Sequence, residues 1–409
     1  MIWFHFSKPR RKILIPFAAS LAAVRLLASP ATDQEQLVAA NTAFAFNLLN
    51  RLVQAQPAAN VFISPFSVSR ALQAVSDGAQ DETQAELQLA LKTVRMAPVA
   101  LKAACLSLNQ QFAARKEVTL DLATGLWLQE GFHWQPAFVD DNRKFFQAEL
   151  ADVNFDQPQS AKTINDWADR QTDGKVKQVV QSPFPPRTRL VLASAAYFKG
   201  EWAMPFKPQL THSRDFHLAN GQSKPAPMME RPDYFLYQAR RGFQAVALPY
   251  KGALQMELFL PATNSNPEKL LAALAAPGRW LKDIQSGFSH RDGAVILPKF
   301  KFACALRLKD ALQSLGIKSA FAPDADFSGL AEKRVGISEV RQASFVSVNE
   351  LGAEAAAATT VHVAASATEL ASPISFVMLL DRPFVAVIAD VPSNSILFMG
   401  VVNDPTGGQ

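Results

Sequence analysis

The side chains best suited to proton transfer, metal binding or nucleophilic attack are few and scattered in this chain of 409 residues. Six histidines occur, His5, His133, His212, His217, His290 and His362. None forms His-x-x-x-His or His-Glu-x-x-His, the spacings that set two imidazoles on one helix face. His212 and His217 are near neighbours, but five residues apart in a turn-rich β segment they read as surface residues. Cys105 and Cys304 are the only cysteines. They lack zinc spacing and are expected as free, buried thiols. No Gly-x-Ser-x-Gly elbow raises a serine, and no glycine loop is placed to cradle phosphate. The expectation is therefore no metal, no cofactor and no catalytic centre. Lys92, Arg95, Lys102, Arg115 and Lys116 could meet a polyanion, although a solvated helix face is the better account of them.

One stretch has a different kind of chemistry. "VNELGAEAAAATTVHVAASATELASP", from Val348 to Pro373, carries four consecutive alanines, several β-branched residues and almost no charge. Alanine favours helix, Thr and Val favour strand, and the whole has the composition of a loop. A helix would need a consistent apolar stripe, and Thr359-Thr360-Val361 with Val363 is costly there. A linker would be expected at a domain boundary, whereas strand-like segments flank this one on both sides.

The elements around it follow from periodicity. "EQLVAANTAFAFNLLNRLVQ" sets Ala45, Leu48, Leu49 and Leu52 on one helical stripe. "NVFISPFSVSRALQAVSDGA" begins as a short strand and passes Pro65 and Ser67 into a helix that stops at Gly78. Helices dominate the first half. From "RLVLASAAYFKGEW" onward the chain is mostly β, and it closes with "ISFVMLLDRPFVAVIAD" and "SILFMGVV" as a hairpin across "VPSNS". With no repeat and no linker, one large α+β domain over 32–409 is the simplest architecture. The composition, 49% hydrophobic and 19% charged, can fill such a core.

The formal charge of +5 is misleading. Lys8, Arg10, Arg11, Lys12 and Arg25 all lie in residues 1–31, which hold no acid. Five of the 41 basic residues are thus in the leader, leaving 36 against 36 acidic. "KPRRK" before "ILIPFAASLAAV" reads as a signal peptide, with a cut after Ala31. Export to a secreted or periplasmic location follows, with no membrane or nucleic-acid role for the mature chain. No Asn-x-Ser/Thr sequon is present.

Separate motifs, in a consistent order along the mature chain, resemble the serpins: "NVFISPFSVSRAL", "AKTINDWADRQTDGKVK", "LVLASAAYFKGEWAMPF", "DFHL" with "PMME", "LPKFKF", "DADFSGL", "VNELGAEAAAATT" and "DRPFVAVIADVPSNSILFMGVVNDP". The resemblance implies about nine helices around three β-sheets, with an exposed reactive-centre loop at about 350–373. It implies a suicide-substrate inhibitor of serine proteases, acting as a monomer through a covalent acyl complex. After cleavage the loop inserts as a central strand of the largest sheet, strand addition with release of stored strain.

The loop's own residues suit that role. Counted from Ala353, after the hinge Gly352, one face receives Ala353, Ala355, Ala357, Thr359, Val361, Val363 and Ala365, all small or β-branched and uncharged. The other receives Glu354, Ala356, Ala358, Thr360, His362 and Ala364. No proline occurs from Ala353 to Ser372. Val348–Glu350 is expected to end a strand, with Ala353–Ala365 a strand not yet inserted. Seventeen residues from Glu350, as in the family, the scissile bond falls at Ser366–Ala367, or at Ala365–Ser366 with a hinge one shorter. Leu370 is the bait if the loop runs longer. A small residue before the cut suits elastase- or subtilisin-like proteases. The resemblance also assigns sheet-opening control to Ser64 and Ser67, to Ser194 and Gln342 where the family usually has Asn and His, to the pair Lys299 and Glu350, and to Trp202. The paired replacement at 194 and 342 is expected to leave a different but satisfied hydrogen-bond set. A non-inhibitory member with a carrier, chaperone or storage role is the alternative.

Overall fold

Thr32 starts the first helix with a capping box: its Oγ1 accepts from the Glu35 N–H at 3.2 Å, and the Glu35 carboxylate accepts from the Thr32 N–H at 2.8 Å. The computed structural model describes residues 31–276, 280, 284–353 and 375–407. The chain divides into two units, Met1–Ala31 and Thr32–Gln409, and the second holds all the described helices and strands.

Helix α1 (Asp33–Ala55) buries the expected stripe, Ala45, Leu48, Leu49 and Leu52. After β1 (Val61–Ile63), Ser64 caps α2 (Pro65–Ser76), with Pro65 at the first helical position, where its missing N–H costs nothing. Every residue of α2 is buried. Then come α3 (Asp81–Leu91), α4 (Pro98–Ala113), β2 (Thr119–Gln129), α5 (Pro136–Asp141), β3 (Ala148–Val153) and α6 (Pro158–Gln171). The β-rich half holds β4 (Leu190–Glu201), β5 (Thr211–His217), β6 (Ser223–Arg240), β7 (Phe243–Pro249) and β8 (Leu254–Pro261). It continues with α7 (Pro267–Leu274), β9 (Ser289–Pro298), β10 (Phe300–Arg307), α8 (Lys309–Ser314), β11 (Ile337–Val348) and β12 (Gly352–Ala353). The last three strands are β13 (Phe376–Leu379), β14 (Phe384–Asp390) and β15 (Ser395–Val402). Among the described residues this makes eight α-helices in an α+β fold.

Hydrogen bonding joins the described strands into two sheets, where the resemblance counts three. The nine-stranded sheet runs β1-β15-β14-β8-β7-β6-β9-β13, with β5 also on β6. The 18-residue β6 explains its continuity: it pairs β5 early, β9 along its middle and β7 at its end. The closing segment, expected as one strand before the hairpin, is broken at Pro383. There β13 lies parallel to β9, and β14 pairs β8 and β15. The six-stranded sheet runs β10-β11-β12-β4-β2-β3. Helix α2 packs against β2 and β4 of this sheet, beneath its centre. No described helix is long and apolar enough to cross a membrane.

Candidate functional site

The six-stranded sheet contains a seam. Strands β4 and β11 pair directly and in parallel from Leu190/Ile337 to Tyr197/Phe345, with an irregularity between Ile337 and Glu339. Their outer neighbours are antiparallel, β2 on β4 and β10 on β11. Parallel pairing is slightly weaker per residue than antiparallel pairing, and among the described strands the β4–β11 ladder is the one parallel pairing in the interior of this sheet, the other being β2–β3 at its edge. Above Tyr197 and Phe345 the two strands separate, and β12 occupies the gap. Ala353 sits opposite Val348 on one side and Gly200 on the other, antiparallel to both. The expectation that Ala353 is not yet inserted is corrected here. Ala353 is fully buried and paired on both sides, because the turn from β11 reverses the chain straight into the gap.

That turn is specified by a few residues. Asn349 Oδ1 accepts from the N–H groups of Leu351 and Gly352 at 2.9 and 3.2 Å, a local side-chain turn that replaces the ending ladder. Gly352 has φ +150°, and a Cβ there would collide with the Gly200 carbonyl, so only glycine fits while β12 lies in the gap. Trp202 lies beneath the turn, its indole N–H donating to the Asn349 carbonyl at 2.9 Å and its ring stacked on Tyr250 at 4.2 Å. The Glu350 carboxylate accepts from Lys299 Nζ at 3.0 Å and from Thr211 Oγ1 at 2.9 Å. Partial burial opposes ionisation of Glu350, but these bonds and the Lys299 charge hold its pKa below the ordinary value.

The strand side chains that meet in the middle of the seam are uncharged. Thr124 on β2, Ser194 on β4 and Gln342 on β11 face one another in register, all buried. Gln342 Nε2 donates to the Ser64 carbonyl at 2.8 Å, and Ser344 Oγ donates to the Phe62 carbonyl at 2.6 Å. The hydroxyls of Ser64 and Ser67 lie 3.0 Å apart. Ser194 Oγ and Gln342 Oε1 have no hydrogen-bond partner among the described residues, which corrects the expectation of a fully satisfied set. The side chains at 194 and 342 each leave one oxygen short, a cost of about 1–3 kcal/mol apiece.

The structure thus brings Ser64, Ser67, Ser194 and Gln342 together at mid-seam, and Lys299, Glu350, Gly352, Ala353 and Trp202 together at its top. Glu354, Ala355, Ala356, Ala357, Ala358 and Thr359, the bond candidates Ala365, Ser366 and Ala367, and Leu370 lie outside the described residues. Cys105 and Cys304 are free and buried. Among the polyanion candidates, Lys102 is bound between Asp77 and Asp141, each at 2.7 Å, and Arg115 pairs with Asp390 at 2.7 Å. His212 and His217 are exposed on β5.

Sequence reasoning missed Arg70. Its guanidinium, 4% exposed, donates through Nε to Thr124 Oγ1 at 3.2 Å, through Nη1 to Asn109 Oδ1 at 2.9 Å, and through Nη2 to the Leu122 carbonyl. Burial lowers its pKa to about 10, and it remains a cation at neutral pH. The signal was available: it is the one charged residue in a helix that is otherwise apolar or uncharged.

A family described as Serpin (serine protease inhibitor) matches residues 39–405. The leukocyte elastase inhibitor of Bos taurus is 35% identical over 385 residues, 91% of this chain and 100% of that one. The crystal structure of mouse protein-Z dependent protease inhibitor superposes with a TM-score of 0.81 at 26% identity, covering 91% of this chain and 98% of the other. That of human thyroxine-binding globulin complexed with thyroxine also gives 0.81, at 27% identity, covering 92% and 100%.

Proposed function

The chain belongs to the serpin family, and we propose that it inhibits serine endopeptidases as a suicide substrate. A protease's serine Oγ attacks the Ser366 carbonyl, and an ester forms as the bond to Ala367 breaks, with the Ala367 nitrogen leaving as an amine. The freed segment beyond Ala353 inserts between β4 and β11 before water can cleave the ester. The protease is its only partner in this reading. Ser366, or Ala365 with the shorter hinge, offers a small side chain to elastase- or subtilisin-like enzymes. The likeness to a leukocyte elastase inhibitor supports that class.

The observation that carries the reading is the double pairing of Ala353. Six residues beyond Ala353 is Thr359, six before Gly200 is Ser194, and six before Val348 is Gln342. Continued insertion in this register sets Thr359 between Ser194 and Gln342, which already oppose each other. Directly opposed residues share a face, so the Thr359 hydroxyl would reach the two oxygens that lack partners. One parallel pairing would become two antiparallel ones. For about a dozen inserted residues at roughly 1 kcal/mol net per backbone hydrogen bond, the driving force rivals the stability of a domain. The uncleaved form is then held kinetically.

Residues 1–31 are proposed as an export signal removed after Ala31. Thr32 caps α1, so such a cut spares every element of the fold; N-terminal sequencing of the exported protein checks it. A carrier role is the second reading. It is favoured by a cavity of about 360 Å³ lined by His217, Asn266, Glu268 and Arg382 among others, and by the likeness to a thyroxine-binding globulin. Incubation with elastase and subtilisin followed by denaturing electrophoresis separates the two. An SDS-stable complex is expected. Clean loop cleavage with no complex and no rise in thermal stability overturns inhibition.

A further inference from the structure

Helix α2 is fastened to both sides of the seam. On one side, Gln342 and Ser344 of β11 donate to the carbonyls of Ser64 and Phe62, at the start of α2 and on β1. On the other, Arg70 of α2 donates to Thr124 Oγ1 and to the Leu122 carbonyl, both on β2, which pairs β4 over its length. Its third bond, to Asn109, ties in α4. The guanidinium has no carboxylate partner among the described residues, and all its acceptors are neutral. Nothing about packing α2 requires a cation here, since a buried charge is expensive and an apolar side chain of similar length is usually tolerated.

We propose that Arg70 is a brake on the opening of the six-stranded sheet, a positioning residue that sets how fast the seam admits a new strand. The proposal rests on the insertion reading above. A new strand moves β4 and β11 apart by about 4.8 Å, the spacing of one strand. A hydrogen bond tolerates a few tenths of an ångström. With α2 bound to both halves, that separation breaks or rebuilds the bonds on at least one side. The β11 bonds are neutral and the β2 bonds come from a cation, and bonds to a charged group are the stronger. Removing the cation therefore frees the helix from one half of the sheet while leaving the backbone ladders intact.

The test uses the uncleaved full-length protein and a synthetic peptide with the sequence of residues 353–365, and reads the rate of peptide uptake into the sheet. Arg70→Met keeps the volume and removes all three bonds, and uptake is expected to be about tenfold faster. Thr124→Val removes one bond to β2 and should accelerate uptake less, in the same direction; it carries the test alone if Arg70→Met does not fold. Asn109→Ala removes the α4 bond of Arg70, together with the bond from Asn109 Nδ2 to the Phe145 carbonyl, but leaves both bonds to β2, and should leave the rate unchanged. A wild-type rate in Arg70→Met, or equal acceleration in Asn109→Ala, overturns the brake and leaves the insertion reading standing. A wild-type protein that admits no peptide overturns both.

Discussion

The two sheets solve the problem of burying polar side chains in opposite ways. In the nine-stranded sheet, Glu257 sits on the central strand β8, fully buried between Ala247 and Val387. Both its oxygens are served: Gln255 Nε2 donates at 2.7 Å, and Gln285 Nε2 at 3.0 and 2.9 Å. In the six-stranded sheet, Ser194 and Gln342 are buried with one oxygen each unpaired. All the described pairings of the first sheet are antiparallel except β13 on β9 at its edge, whereas the second is parallel at its edge, β3 on β2, and again near its centre, β11 on β4. The first sheet serves both oxygens of its buried carboxylate. The second has a parallel pairing in its interior, two unmet oxygens and the two-residue strand β12 in its gap. In the proposed function this contrast separates a scaffold from a moving part.

The largest expected effect lies in the moving part. In the proposed insertion, Ala355→Arg would put a charge on the face that turns inward, two residues beyond Ala353. It should abolish the SDS-stable complex and leave a cleaved substrate; unchanged inhibition would break the contrast between the sheets.

An intermediate effect is expected in the scaffold. Burial raises the Glu257 pKa from 4.5 to about 7, although its two glutamine donors act against the shift. The folded state thus holds a proton that the unfolded state loses between about pH 4.5 and 7, so stability falls as pH rises through that window, by roughly 3 kcal/mol in all. Glu257→Gln should flatten that slope and raise the denaturation midpoint at pH 8, without changing peptide uptake by the other sheet. A mutant that keeps the slope would assign it to another group.

The smallest effect is at the top of the seam. Glu350 has a depressed pKa, so its contribution is full above the unfolded value of 4.5 and is lost as pH falls below it. Lys299 is partly exposed, and a pair of this kind contributes about 1 kcal/mol or less. Lys299→Met should lower the denaturant midpoint slightly at pH 7, and the difference from wild type should vanish toward pH 3. A difference that persists at pH 3 would mean that Lys299 acts by packing.

Much of this was legible in the sequence. The stripe of α1, the strand-to-helix passage at Ser64 and Pro65, the serpin motifs and the alternation of small residues after Gly352 all follow from local spacing and residue size. Trp202 and the Lys299–Glu350 pair fell where the motifs placed them. Arg70, Glu257 and the unpaired oxygens of Ser194 and Gln342 did not show, since each depends on what a neighbour distant in sequence offers.

The family, the order of the elements and, in the proposed reading, a segment able to serve as a strand are written in the amino-acid sequence alone. Those properties depend on periodicity, turn residues and side-chain volume, which are local. The parallel pairing of β4 and β11 near the centre of the sheet, the pairing of Ala353 there and the tie from Arg70 of α2 to β2 emerge only in the folded domain. Hydrogen bonds between segments far apart in the chain depend on register and distances of a few ångströms, which the packing of the whole domain sets.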